Sequence, residues 1–364
     1  MCCLPLRRLM MACGLVGLIG FVLVSGLTVP RAAASSAESA RATLLAAPDD
    51  VELWRETLES LFVDGAQAEN FETAMRIYRE LSELAVERLA IDAARGTLPE
   101  ASAAIGQLMN VHFGELLQYY PDDATLYALG ENALEAYRTM KPRGFMGAAA
   151  QGMLTAVMAE HTKDSTARRL LFDEAHTILR SASEQARCGR DKQFFGVQAD
   201  LLRLNAYRND AQMSPGGTNA ARKKHLYAEG ETILAALDKD RAALDGNNTA
   251  AALNVKVQYA YATARFCMAQ ALDSATDAER EALLEKAMAR LETLHEFFQN
   301  EHFFERAEMA AIRGDARECL ALLRQVPPVS LASYGSIGFY AANSPFIRLV
   351  ADDPELAAFL RDTP

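Results

Sequence analysis

The side chains closest in type and spacing to a metal or acid-base constellation lie in His295-Glu296-Phe297-Phe298-Gln299-Asn300-Glu301-His302, with Glu305 just beyond. A metalloprotease helix needs His at i and i+4, so that both rings reach one ion while a glutamate acts as base. Here the histidines are seven positions apart, roughly 10 Å along a continuous helix, too far for one ion unless the chain breaks near Asn300. The segment is instead expected to be a hairpin end whose Phe297, Phe298, Phe303 and Phe304 fill a core. Gly335-Ser336-Ile337-Gly338 lacks the G-x-S-x-G of a nucleophile elbow, and Ser214-Pro215-Gly216-Gly217-Thr218 lacks the lysine of a phosphate loop. His112, His161, His176 and His225 stand alone in the sequence. Cys188, Cys267 and Cys319 are far apart without a C-x-x-C and are expected to be buried small hydrophobes. No catalytic, cofactor-binding or metal-binding residue is assigned, and no cofactor is expected.

The elements that would position any such groups are helical. Of the 364 residues, 50% are hydrophobic and 23% charged, a globular balance in which Ala, Leu, Glu and Arg favour helix. The net charge of -11 argues against nucleic acid, because the one short basic cluster, Arg222-Lys223-Lys224, is followed by Glu229 and Glu231. Amphipathic runs of helical length alternate with breaks at Asp64-Gly65, Gly96 to Pro99, Tyr120-Pro121-Asp122, Lys141-Pro142, Lys163-Asp164, Gly189, Ser214 to Gly217, Asp245-Gly246-Asn247, Ser274, Gly314 and Pro327-Pro328. Consecutive helices with such short connections must pair with their neighbours. The run Phe145 to Leu154 is too short to span a bilayer and is expected to be buried, with Met140, Met146, Met153 and Met158 filling the core or lining an adaptable groove.

The N-terminus reads as a targeting segment. Arg7 and Arg8 precede an apolar run from Leu9 to Val29, followed by Pro30 and the small-residue stretch Ala32-Ala33-Ala34. These are the parts of a secretory signal peptide cleaved after Ala34, and the run is also long enough to anchor residues 9–29 in an inner membrane. Either outcome places the body outside the cytoplasm, periplasmic or secreted. Residues 1–34 are thus a signal peptide or anchor, 35–47 a linker and 48–364 the helical domain.

Several segments resemble the tetratricopeptide repeat, a helix-turn-helix unit of about 34 residues. In Phe303 to Val326, Phe303 and Phe304 start the first helix, Ala307 is a small contact position, Arg313-Gly314-Asp315 is the turn, Cys319 and Leu323 pack and Pro327 ends the unit. Weaker echoes are Tyr120 to Gly130, with its Pro-Asp start and Leu129-Gly130 pair, and Trp54, Phe71, Ala74 and Tyr78 within Val51 to Leu84. Asn343 to Leu360 is similar to the short element that closes the last hairpin in bacterial members of this family. The resemblance implies an all-α protein, a right-handed α-α superhelix of antiparallel hairpins with a capping element at 344–364. Phe346, Leu349, Leu356, Phe359 and Leu360 are expected on the hairpin 303–326, and Arg348, Asp352, Glu355 and Arg361 in solvent.

The function these features imply is an exported or membrane-anchored scaffold whose concave face binds a protein or peptide, with the membrane involved only through the N-terminal segment. Two alternatives remain open: an extracytoplasmic α-helical enzyme whose carboxylate pair is assembled across helices, and a carrier of an apolar ligand near residues 140 to 158.

Overall fold

The computed structural model describes residues 37–68, 70–140, 144–186, 189–212, 220–242, 250–294, 302–326 and 337–362. Among these residues the chain is all-helical, with no strand. The helices are α1 (Ala37–Ala46), α2 (Val51–Ala66), α3 (Phe71–Arg95), α4 (Glu100–Tyr119), α5 (Ala124–Thr139), α6 (Gly144–His161), α7 (Ser165–Gln185) and α8 (Gly189–Gln212). They continue as α9 (Ala220–Ala242), α10 (Ala250–Leu272), α11 (Asp277–Glu292), α12 (Phe303–Ile312), α13 (Ala316–Leu323), α14 (Ile337–Asn343) and α15 (Pro354–Asp362), with a 3-10 turn at Ile347–Val350. None of the described helices is long and apolar enough to cross a membrane. The expected targeting segment, residues 1–34, lies outside the described residues. So do the breaks at 141–142, 214–217, 245–247 and 327–328.

Local chemistry explains where several helices begin and end. The carboxylates of Asp50, Asp164 and Asp315 accept the backbone N–H groups of Leu53, Ala167 and Glu318, each satisfying a donor that the first turn leaves open. Gly314 adopts the left-handed backbone at φ 80°, while Asp315 N–H reaches back to Ala310 O at 3.0 Å and Gly314 N–H to Ala311 O at 3.0 Å. Only glycine enters that conformation cheaply, so the Arg313-Gly314-Asp315 turn closes one helix and caps the next. The expected break at Asp64-Gly65 is different: both residues lie inside α2. There the missing side chain is used for packing, since a methyl on Gly65 would stand 2.4 Å from the Tyr78 ring.

The chain divides into two compact units, one ending at Arg203 and taking in Asn248–Asn254, the other formed by Leu204–Asn247 and Val255–Pro364. In the first, α2 packs on α3 and on α4, α3 on α4 and α5, and α4 on α6, so helices contact both their successor and the next helix but one. Trp54, Tyr78, Phe113 and Tyr137 are buried here. A buried ion pair links Arg88 to Asp92, and the Arg88 guanidinium also donates to Pro48 O at 2.5 Å and lies 5.8 Å from the Trp54 ring centroid. The Arg88–Pro48 bond fixes the turn before α2 onto α3.

A recurrence emerges when the two units are described separately. Leu126-Tyr127-Ala128, Gly130-Glu131, Leu134 and Ala136 of α5 reappear a hundred positions on as Leu226-Tyr227-Ala228, Gly230-Glu231, Leu234 and Ala236 of α9. The contacts recur too. A methyl on Gly130 would lie 2.4 Å from Met158 of α6, and one on Gly230 would lie 2.3 Å from Phe266 of α10. Three residues beyond each of these contacts, His161 O and Ala269 O accept the hydroxyls of Tyr127 at 3.1 Å and Tyr227 at 3.0 Å. The following helices match as well, with Phe172, Ala175 and Leu179 of α7 buried like Leu284, Ala287 and Leu291 of α11. Segments 124–185 and 220–292 therefore use one packing scheme.

At the C-terminal end, Asp353 accepts the N–H groups of Glu355 and Leu356 at 3.0 Å, and Pro354 opens α15. Leu356 is buried against α13 and α14, with Phe359 and Leu360 partly buried beside it. Phe346 packs with Met309 and Ile312 but also with Cys267, Met268 and Leu284, so its contacts reach beyond the hairpin 303–326. Leu349 departs from expectation at 48% exposed, and Ile347 takes the buried place. In a 3-10 turn, residues three apart share a face, so Ile347 and Val350 turn inward and Leu349 outward. Arg348, Asp352, Glu355 and Arg361 are exposed as expected.

Candidate functional site

A groove of about 610 Å³ opens between α3 and α5 in the first unit, within the range of ligand clefts. It follows from the packing order: α3 and α5 touch each other while α4 packs on α2 and on α6, leaving a face of the α3–α5 pair uncovered by them. Arg79 pins the two helices together by donating to Asp123 at 2.8 Å, the residue that also caps α5. Val86, Ala90 and Ala93 contribute from α3, and Leu129, Asn132 and Ala136 from α5. Acidic side chains stand along it at Glu83, Glu87 and Glu135, and Arg41 of α1 reaches in to pair with Glu87. Nearby Glu80 has its carboxyl pushed above the ordinary range by burial, against the opposing charge of Arg76. Among the described residues no histidine, cysteine or serine lines the groove.

A second polar group lies in the other unit and contains part of the sequence-predicted cluster. His302 and Glu305 of that cluster are described; His295 and Glu301 lie outside the described residues. His302 holds a left-handed backbone at φ 48°, with a ring nitrogen 3.9 Å from a Glu305 oxygen. One turn further along α12, Glu308 is fully buried, accepts the Ser344 hydroxyl at 2.7 Å and sits 3.5 Å from Arg265. Burial, and then the Glu308 charge, push the Glu305 carboxyl up to about 7. Ser344 in turn accepts the N–H groups of Phe346 and Ile347 at 3.3 Å, so the cluster anchors the 3-10 turn to α12. Among the described residues no group of three or more His, Cys, Asp or Glu is placed to hold a metal ion.

The remaining candidates are dispersed. His112 stacks on Tyr78 with ring centroids 3.7 Å apart and lies 3.0 Å from Glu115, whose carboxyl burial pushes up against the pull of His112. Cys267 and Cys319 are free and buried, and burial raises their thiols to about 11 and 12, so neither is a ready nucleophile. Cys188 lies outside the described residues, as does Gly335-Ser336. Met140, Met153 and Met158 are buried and Met146 partly so; Met158 fills the space above Gly130. The groove residues went unremarked in the sequence, although Leu129, Asn132 and Ala136 share a helical face and could have been read as a stripe. Comparison with protein-family models, with curated proteins and with solved structures finds no match.

Proposed function

We propose that this chain is an extracytoplasmic helical-repeat scaffold, a tetratricopeptide-like right-handed superhelix of hairpins delivered or anchored by residues 1–34, and that its α3–α5 groove binds a segment of a partner protein. The observation that carries this reading is the groove itself, an open, partly apolar trough with acidic side chains along it. Two features support the repeat architecture: helices that pack on the next and the next but one, and the packing scheme shared by 124–185 and 220–292. A photocross-linking amino acid at exposed Asn132, in the chain at native expression, should capture a discrete partner. Ala90→Trp, which fills the groove at an exposed position, should abolish the product without lowering the melting temperature. A product that persists in Ala90→Trp, or none at all, overturns the reading. Fusing residues 1–60 to a reporter active only outside the cytoplasm tests the export step.

One observation favours a second reading, the α-helical enzyme: a part-buried carboxyl pushed up to about 7, Glu305, one turn from Glu308, which is fully buried and 3.5 Å from Arg265. Hydrolytic turnover lost on Glu305→Gln with folding intact would establish it over the scaffold.

A further inference from the structure

We propose that the occupant of the α3–α5 groove is an amphipathic α-helix of a partner protein, with a seam of small apolar side chains flanked by Lys or Arg. The inference rests on the scaffold reading and adds the chemistry of the partner. Its first basis is spacing. On α3 the groove is lined at Glu83, Val86, Ala90 and Ala93, positions i, i+3, i+7 and i+10. On α5 it is lined at Leu129, Asn132, Ala136 and Thr139, the same series. That alternation of three and four is the 3.5-residue repeat of a coiled-coil seam, and two adjoining helices that both present it form a seat for a third. An extended peptide, with its period of two, matches neither stripe. The stripes run roughly 15 Å at 1.5 Å per residue, or about three turns of a docked helix. The alanines in the floor keep it shallow enough for a helix to approach closely.

The second basis is charge. Glu83, Glu87 and Glu135 stand along the groove against, among the described residues, one lining cation, Arg41, which is already paired with Glu87. That pair shows how a cation projecting from a helix satisfies this rim, since Arg41 itself projects from α1. Arg79 lies 3.6 Å from Glu83 and donates to Asp123 at 2.8 Å, and the Glu83 side chain keeps 39% of its surface exposed. Glu135 is exposed. A helix with basic flanks would complement these carboxylates, and one with acidic flanks would be repelled.

The test uses the full chain with the photocross-linker at Asn132 and three 14-residue peptides. One is an Ala/Leu-seamed helix with lysine flanks, one carries glutamate in place of lysine, and one keeps the lysines but has a central proline. The lysine helix should bind at least tenfold more tightly than the other two. Its preference over the glutamate helix should reverse in Glu83→Lys/Glu87→Lys/Glu135→Lys, and Ala90→Trp should remove binding. Equal binding of the proline peptide or of the glutamate helix overturns the proposal. If no peptide cross-links while the cellular product at Asn132 persists, the helix chemistry is wrong and the scaffold stands. Self-association of the chain that Ala90→Trp abolishes would make a second copy the occupant, and would also overturn it.

Discussion

Segments 124–185 and 220–292 place a helical glycine under a large side chain and a tyrosine hydroxyl on a helix carbonyl, yet they pair their charges differently. In the first, Arg138 of α5 forms a forked bond to Glu174 of α7. In the second, the position of Arg138 is Asp238 and that of Glu174 is Lys286. Asp238 instead holds Arg290, one turn beyond Lys286, which turns to Glu231 at 3.4 Å. Apolar contacts are short-ranged and volume-specific, so one methyl in a filled space is felt. Ion pairs at a partly exposed seam tolerate reversal as long as opposite signs still meet. The difference separates what sets the helix spacing from what merely decorates it.

The largest expected effect breaks the equivalence, because the unit containing 220–292 also carries the Glu305–Glu308 pair. Glu305 ionises near 4.5 when unfolded and near 7 when folded, so folding favours its neutral form. The stability this contributes is fully present below pH 4.5 and is lost as pH rises through 7, on the order of 3 kcal/mol. The groups that modulate it are Glu308, which pushes the same way, and Arg265 and His302, which stand close by. Chemical denaturation from pH 4.5 to 8.5 should show wild type losing stability relative to Glu305→Gln. Parallel curves would mean that the carboxyl is not held neutral in the fold.

Glycine substitution sharpens the comparison. Gly230→Ala drives a methyl into Phe266, a rigid ring with no exposure, and should cost roughly 2 to 3 kcal/mol beyond the gain in helix propensity. Gly130→Ala meets mainly the flexible thioether of Met158 and should cost about half as much, though Phe113 at 2.9 Å sets a limit. Urea midpoints of the two variants check the ranking, and an equal cost would show that the residue above the glycine does not decide it.

What the sequence disclosed follows the same division. Caps and turns such as Asp315, Gly314 and Asp353-Pro354 are local chemistry, and they were readable along with the helices they bound. The Gly65 position was read as a break because glycine serves turns and close packing alike, and only the Tyr78 ring tells them apart. Leu349 turns outward, against its apolar character, because a 3-10 turn moves the buried face by one residue. The α5 stripe of the groove is legible in the sequence, but its pairing with α3 is not, since it joins a helix to the next but one. The Glu308–Ser344 bond, spanning 36 positions, was hidden for the same reason.

The smallest effect concerns the charges. Arg138 and Glu174 keep 43% and 34% of their side chains exposed, so solvent screens them and a double-mutant cycle to alanine should give a coupling of about 0.5 kcal/mol that fades in high salt. Asp238 and Arg290 should couple more strongly, roughly 1 to 2 kcal/mol, because Tyr259 donates to the same carboxylate and its ring lies 5.5 Å from the Arg290 guanidinium. That network holds the Asp238 carboxyl below its ordinary range even though burial alone would raise it. Introducing the reversed pair, Arg138→Asp with Glu174→Lys, should therefore leave the melting temperature of the chain within a degree or two, whereas Arg138→Asp alone sets two carboxylates against each other and should lower it further. If the reversed pair is as damaging as the single change, the seam between α5 and α7 reads the sign of its charges, and the two segments share less than their glycines and tyrosines imply.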